Sequence, residues 1–190
     1  SLGAFLGIGS NSGDPIILYD QLADRYFVSE FGSVNNGLAI GVSVTNDPTG
    51  AYNVYQFALD AFPDYPHYAV WHDAYYLTAN KGGANKVYAI DRDVILDGGE
   101  NPLIIGFPLP GNTSNPNTVL SPEPANLLGT SYPEDAPGYI VYLQDDGWSG
   151  VSFDHLNVWE IDVDFDTPAN STISSPLEIP TDPFNSYFAP

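Results

Sequence analysis

Four short strand-like phrases recur three times in the same order, and this repetition constrains the fold more than any other feature. The first quartet is PIILYD (Pro15–Asp20), RYFVSEF (Arg25–Phe31), LAIGVSVT (Leu38–Thr45) and AYNVYQFAL (Ala51–Leu59). The second is HYAVW (His67–Trp71), AYYLTAN (Ala74–Asn80), KVYAIDRD (Lys86–Asp93) and PLIIGFPL (Pro102–Leu109). The third is ANLLGT (Ala125–Thr130), GYIVYLQ (Gly138–Gln144), LNVWEIDVD (Leu156–Asp164) and SPLEIP (Ser175–Pro180). β-Branched and aromatic residues fill these phrases, which suits a pleated surface. Turn chemistry separates them: NNG, NDPTG, KGGAN, DGGENP, PEDAPG and DDGWSG. Helical periodicity is nearly absent.

Four antiparallel strands per unit, written three times, predict an all-β chain built as a β-propeller segment of about three four-stranded blades. The blades fall at about 14–60, 64–110 and 122–180, with 181–190 leading into a further one. The phrases DRYFVSEF and DAYYLTAN are then the second strands of consecutive blades, alike because each blade buries the same face against a neighbour. Three blades do not close a ring, since propellers have about 4–8. The segment is therefore expected to belong to a larger propeller. Two alternatives remain open: closure by self-association, or a β-sandwich of some twelve strands.

Charge narrows the partners. The 190-residue chain has 24 Asp and Glu against 4 Lys and Arg, a formal net charge of −20. The cations are Arg25, Lys81, Lys86 and Arg92. Nucleic acid is excluded as a partner, because its binding rests on Lys and Arg meeting phosphates. An anionic membrane surface is disfavoured on the same ground. No apolar run reaches the ~20 residues of a spanning helix, so no membrane insertion is expected. Most carboxylates lack a cation and must be solvated, hydrogen-bonded or metal-bound. Cys is absent, so disulfides add nothing; Met is absent even at the first position, which suggests a processed or trimmed chain.

At GDPIILYDQLADRYFVSEF (Gly13–Phe31) the sequence resembles a family of large secreted or cell-surface bacterial β-propeller proteins, with their G-D-P…Y-D…D-R-aromatic phrase. SVTNDPTGAYNVYQF (Ser43–Phe57), FPDYPHYAVWHDAYYLTAN (Phe62–Asn80) and VYAIDRD (Val87–Asp93) extend the similarity over nearly the whole chain. The resemblance implies an exported, extracellular or cell-surface protein. It carries no catalytic residues.

Candidate sites follow from residue chemistry. Asp162, Asp164 and Asp166 alternate, which on a strand sets them on one face as a candidate Ca²⁺ site; the competing reading is a solvated outer face. Asp91 and Asp93 repeat the pattern. Asp145 and Asp146 occupy a Gly-rich turn that is either a calcium loop or an ordinary hairpin. Trp148, Tyr75 and Tyr76 are candidates for an exposed glycan-binding platform, whereas Trp71 and Trp159 are expected in the core. Asp14, Asp24 and Asp73 are read as structural turn residues, and Arg25 as a partner of Asp20 or Asp14. His67, His72 and His155 show no zinc-hydrolase spacing, and Ser152, Asp154 and His155 are too close along the chain to form a triad. NTS (Asn112–Ser114) and NST (Asn170–Thr172) fit glycosylation acceptors.

The function these features favour is a non-enzymatic extracellular scaffold for adhesion or recognition, stabilised by calcium. Its partners would be the remainder of a longer chain or another β-edge, and a glycan or surface protein. The alternative is a propeller glycan hydrolase with an Asp/Glu acid–base pair.

Overall fold

The computed structural model describes residues 1–113, 120–129 and 131–186. Ser114 and Thr130, named above within an acceptor triplet and a strand, lie outside them, as do residues 187–190. The fold is all-β, with three antiparallel sheets. The first sheet is a meander of β1 (Ile16–Asp20), β2 (Arg25–Phe31), β3 (Gly37–Ser43) and β4 (Tyr52–Ala58). The middle sheet repeats it with β5 (Asp64–Val70), β6 (Ala74–Asn80), β7 (Val87–Asp91) and β8 (Ile104–Phe107). The third contains β9 (Glu123–Pro124), β10 (Gly138–Gln144) and β11 (His155–Asp162). Two short strands, β12 (Thr172–Ile173) and β13 (Leu177–Pro180), share the far edge of β11.

Period-two alternation sends successive side chains to opposite faces, and here both faces are used. Phe27, Leu38 and Ile40 of the first sheet form one core with Tyr75, Leu77 and Ile90 of the middle sheet. The intervening residues of the middle sheet, Tyr76, Val87 and Ala89, form a second core with Ile140, Trp159 and Ile161 of the third. The middle sheet is thus covered on both faces, which is why its strands read as apolar runs. The outer face of the first sheet packs Val28 and Ala39 under Leu2, Leu6 and Ile8 of the N-terminal segment, which opens with the short helix α1 (Leu2–Phe5).

A polar contact recurs between sheets. Ser29 of β2 shares a hydrogen bond with the Tyr68 hydroxyl of β5 at 2.8 Å. Thr78, at the same position of β6, donates to the Pro122 carbonyl beside β9 at 2.6 Å. Gly138 is needed where the third sheet meets the middle one, because a Cβ there would run into the Tyr76 ring.

Two strand expectations differ. KVYAIDRD stops as a strand at Asp91, and α2 (Arg92–Asp97) follows. Asp91 caps α2 by accepting the Val94 amide at 3.1 Å, and Gly98 closes it with φ 69°. ANLLGT is not a strand; pairing with β10 involves Glu123 and Pro124 instead. Pro124 has no N–H for the ladder, and the Leu127 amide bonds the Val70 carbonyl of the middle sheet at 3.0 Å. No helix among the described residues is long and apolar enough to cross a membrane.

Candidate functional site

The densest carboxylate cluster lies in the turn between β10 and β11. Asp145, Asp146 and Asp154 bring ligand atoms within 4.8 Å of one another. The sequence places Asp145 and Asp154 where the strands end, and the third sheet buries both. Asp146 is exposed. Asp145 Oδ1 accepts the Gly147 amide at 2.7 Å, and its Oδ2 accepts both the amide and the hydroxyl of Ser186 at 2.6 Å. Asp154 Oδ1 accepts the Asp146 amide at 2.8 Å, and Oδ2 the Phe184 amide at 2.7 Å. Trp148 Nε1 donates to Ser186 Oγ at 3.1 Å, completing the ring of bonds.

This arrangement is a clip for the segment Thr181–Ser186. The hydroxyl and amide of Ser186 hold the Asp145 carboxyl below the ordinary carboxylate range. Calcium takes 6–8 oxygen ligands. Here all four oxygens of the two buried carboxylates already face N–H or O–H donors. The oxygens have the right chemistry for a metal ion, and the cluster of Asp145, Asp146 and Asp154 could hold one beside these donors.

The other predicted sites do not assemble as expected. Asp162 ends β11, and Asp164 and Asp166 follow in a loop, so the three do not share a strand face. Asp164 instead accepts the Thr167 amide at 2.7 Å and the Asn170 side-chain amide at 2.9 Å. Asp91 is a helix cap, and Asp93, 85% exposed, lies in the first turn of α2. Tyr75, Tyr76 and Trp148 are buried at 0%, 1% and 6% exposure and offer no surface platform. Trp148 is drawn in by Tyr142 and Ser186, a partner too far along the chain to be seen locally. Trp71 and Trp159 are buried, in the core between the middle and third sheets.

Asp24 and Asp73 stand in the turns before β2 and β6. Asp14 and Asp24 adopt left-handed backbone, φ 48° and 56°. Burial pushes the Asp73 carboxyl up. Its Oδ2 accepts the Tyr76 hydroxyl at 3.2 Å, and its buried Oδ1 has no hydrogen-bond partner among the described residues. Arg25 does not pair with Asp20 or Asp14; its guanidinium caps the carbonyls of Ala23 and Asp24.

Asp20 pairs with Arg92 instead. The fully buried carboxylate accepts Arg92 Nε at 2.8 Å and Nη2 at 3.1 Å, the Tyr75 hydroxyl at 2.9 Å, and the amides of Leu22 and Ala23 at 3.0 Å. This joint fastens the end of β1 to β6 and to the start of α2. Asp60 plays a like part between the same sheets, held by Lys81 and the Tyr88 hydroxyl. A shallow cleft of about 470 Å³ lies beside β4, lined by Tyr52, Asn53, Tyr55, Glu100 and Asn101. Tyr55 and Asn53 donate to Gly99 and Ile95 there, tying the turn after α2 to β4.

Asp154, Ser186 and the Asp20–Arg92 pair escaped sequence reasoning as partners. The only local signal was the shortage of cations: with 4 for 24 carboxylates, a buried Arg must meet a buried Asp. Compared with protein-family models, with curated proteins and with solved structures, the chain matches none of them.

Proposed function

We propose that the chain is a non-enzymatic scaffold of β-propeller type, working outside the cell or at its surface in adhesion or recognition. One observation supports this most: a hydroxyl at the same strand position joins each of the first two sheets to the next, Ser29 to the Tyr68 hydroxyl and Thr78 to the Pro122 carbonyl. A joint position that repeats from sheet to sheet supports reading the sheets as modular blades. Its buried carboxylates Asp20, Asp145 and Asp154, and the more exposed Asp60, are engaged by donors that hold sheets and segments together. The external setting rests on the family resemblance. The exposed turns and the cleft beside β4 offer surfaces for contact.

The hydrolase alternative draws on Asp73, because a carboxyl raised by burial suits a general acid. A glycan array followed by product analysis separates the two. Binding without new reducing ends is the expected result. Reducing ends that vanish with Asp73→Asn would replace the scaffold reading with the hydrolase one.

A further inference from the structure

The last strand of the first sheet, β4, pairs with β3 alone and leaves its other edge open. At one end of that pairing the Val44 amide donates to the Ala51 carbonyl at 2.9 Å, and at the other the Leu59 amide donates to the Asn36 carbonyl at 3.1 Å. The register between these bonds is unbroken. Antiparallel alternation therefore turns the backbone groups of Asn53, Tyr55 and Phe57 toward β3, and those of Tyr52, Val54, Gln56 and Ala58 away from it. Among the described residues, no hydrogen bond takes up these outward amides and carbonyls. The cleft of about 470 Å³ lies at this edge, lined by Tyr52, Val54 and Tyr55 and by Glu100 and Asn101 of the turn after α2.

The other described sheet edges are guarded against foreign strands. β1 has five residues and follows Pro15. β5 contains Pro66 and a register break between Asp64 and His67. β8 has four residues between Pro102 and Pro108, β9 and β12 have two each, and β13 has four and ends at Pro180. Shortness, proline and broken register all discourage pairing. β4 has none of these devices: it runs for seven residues without a proline or a charge. The surroundings are anionic. Arg25 caps carbonyls, Lys81 and Arg92 pair with Asp60 and Asp20, and Lys86 donates to the Lys81 carbonyl, so all four cations are engaged. Asp97 and Glu100, on either side of Gly98 and Gly99, are exposed. A second copy paired β4 to β4 would bring another such pair of carboxylates to the edge, on a chain of net charge −20.

We infer that β4 receives an extended, lysine- or arginine-bearing peptide segment of a partner protein as a fifth strand of the first sheet. The main chain of that segment bonds the outward groups of Tyr52, Val54, Gln56 and Ala58, which supplies the grip. Its cations answer the anionic surroundings, which speeds encounter and sets the preference among partners. The inference rests on the recognition role proposed above and gives that role a surface and a partner class.

The test uses the natural polypeptide that carries these residues, and the probe is an acetylated peptide of about ten residues in which Lys and Thr alternate. Hydrogen exchange should slow at the amides of Tyr52, Val54, Gln56 and Ala58 when the probe is added. Binding should weaken about tenfold as salt rises from about 0.05 M to 0.5 M. Val54→Pro removes one outward donor and leaves the bonds to β3 whole, so it should weaken binding about tenfold as well. The same probe N-methylated throughout keeps its charge but has no amide to donate; it should fail to bind the unaltered chain, whatever the Pro variant does to folding. Binding that survives both changes would reduce the contact to charge alone and overturn the inference. So would no binding at about 1 mM probe, or equal binding of a version with Glu in place of Lys. Protection of the same amides that grows with protein concentration, without probe, would assign the edge to a second copy and overturn it too. Reducing-end release in the glycan assay would defeat the scaffold reading without altering the probe's protection pattern, so the two failures are distinguishable.

Discussion

At the scale of single residues, the chain uses its few cations where they count. Asp20 and Arg92 have side chains 0% and 9% exposed, so removing one strands the other in low dielectric. Asp20→Ala should lower unfolding free energy by about 3–5 kcal/mol, read as a drop in urea midpoint. Arg92→Lys should also destabilise, because an ammonium cannot reproduce the two-nitrogen fork. Asp60 carries a pH signature. Burial pushes its carboxyl up, but Lys81 and the Tyr88 hydroxyl outweigh burial and bring it from 3.8 to about 2. A carboxyl depressed on folding contributes stability above its unfolded value and loses it as pH falls through the folded one. Urea midpoints should therefore decline between pH 3.8 and about 2, and Asp60→Asn should flatten that part of the decline. An unchanged slope would remove Asp60 from the acid response.

At the scale of elements, turns and caps decide where strands stop. Asp91→Ala removes the cap of α2 and should cost about 1 kcal/mol by urea unfolding. Gly138→Ala should cost about 1–3 kcal/mol, since its methyl has to displace the buried Tyr76 ring. Native-like stability in that variant would mean the third sheet can shift away from the middle one. Most strands were legible because β-branched and aromatic runs end at Gly, Asn and Pro. The helix was not, because the six-residue run RDVILD is too short for a period to show. Its signals were the capping Asp91 and the closing Gly98. The carboxylate clip was illegible for another reason: Asp145 meets Ser186 across 41 positions of chain.

At the scale of the whole molecule, charge opposes compaction and burial offsets it. With a net charge of −20, the melting temperature should rise as salt goes from about 0.01 M to 0.15 M, because the screening length falls from about 30 Å to 8 Å. Saturating EDTA should leave the melting temperature unchanged, since N–H donors already satisfy the clip. A fall beyond about 2–4 °C, the shift ~1 kcal/mol makes at this size, would assign a bound ion to the structure. Tyr75 and Tyr76 are neighbours in sequence yet look in opposite directions through the middle sheet. That layer has no side facing water on which a changed residue would go unnoticed. Its amides should be the last to exchange in heavy water, and a changed residue there has to be answered by whichever adjoining layer it faces.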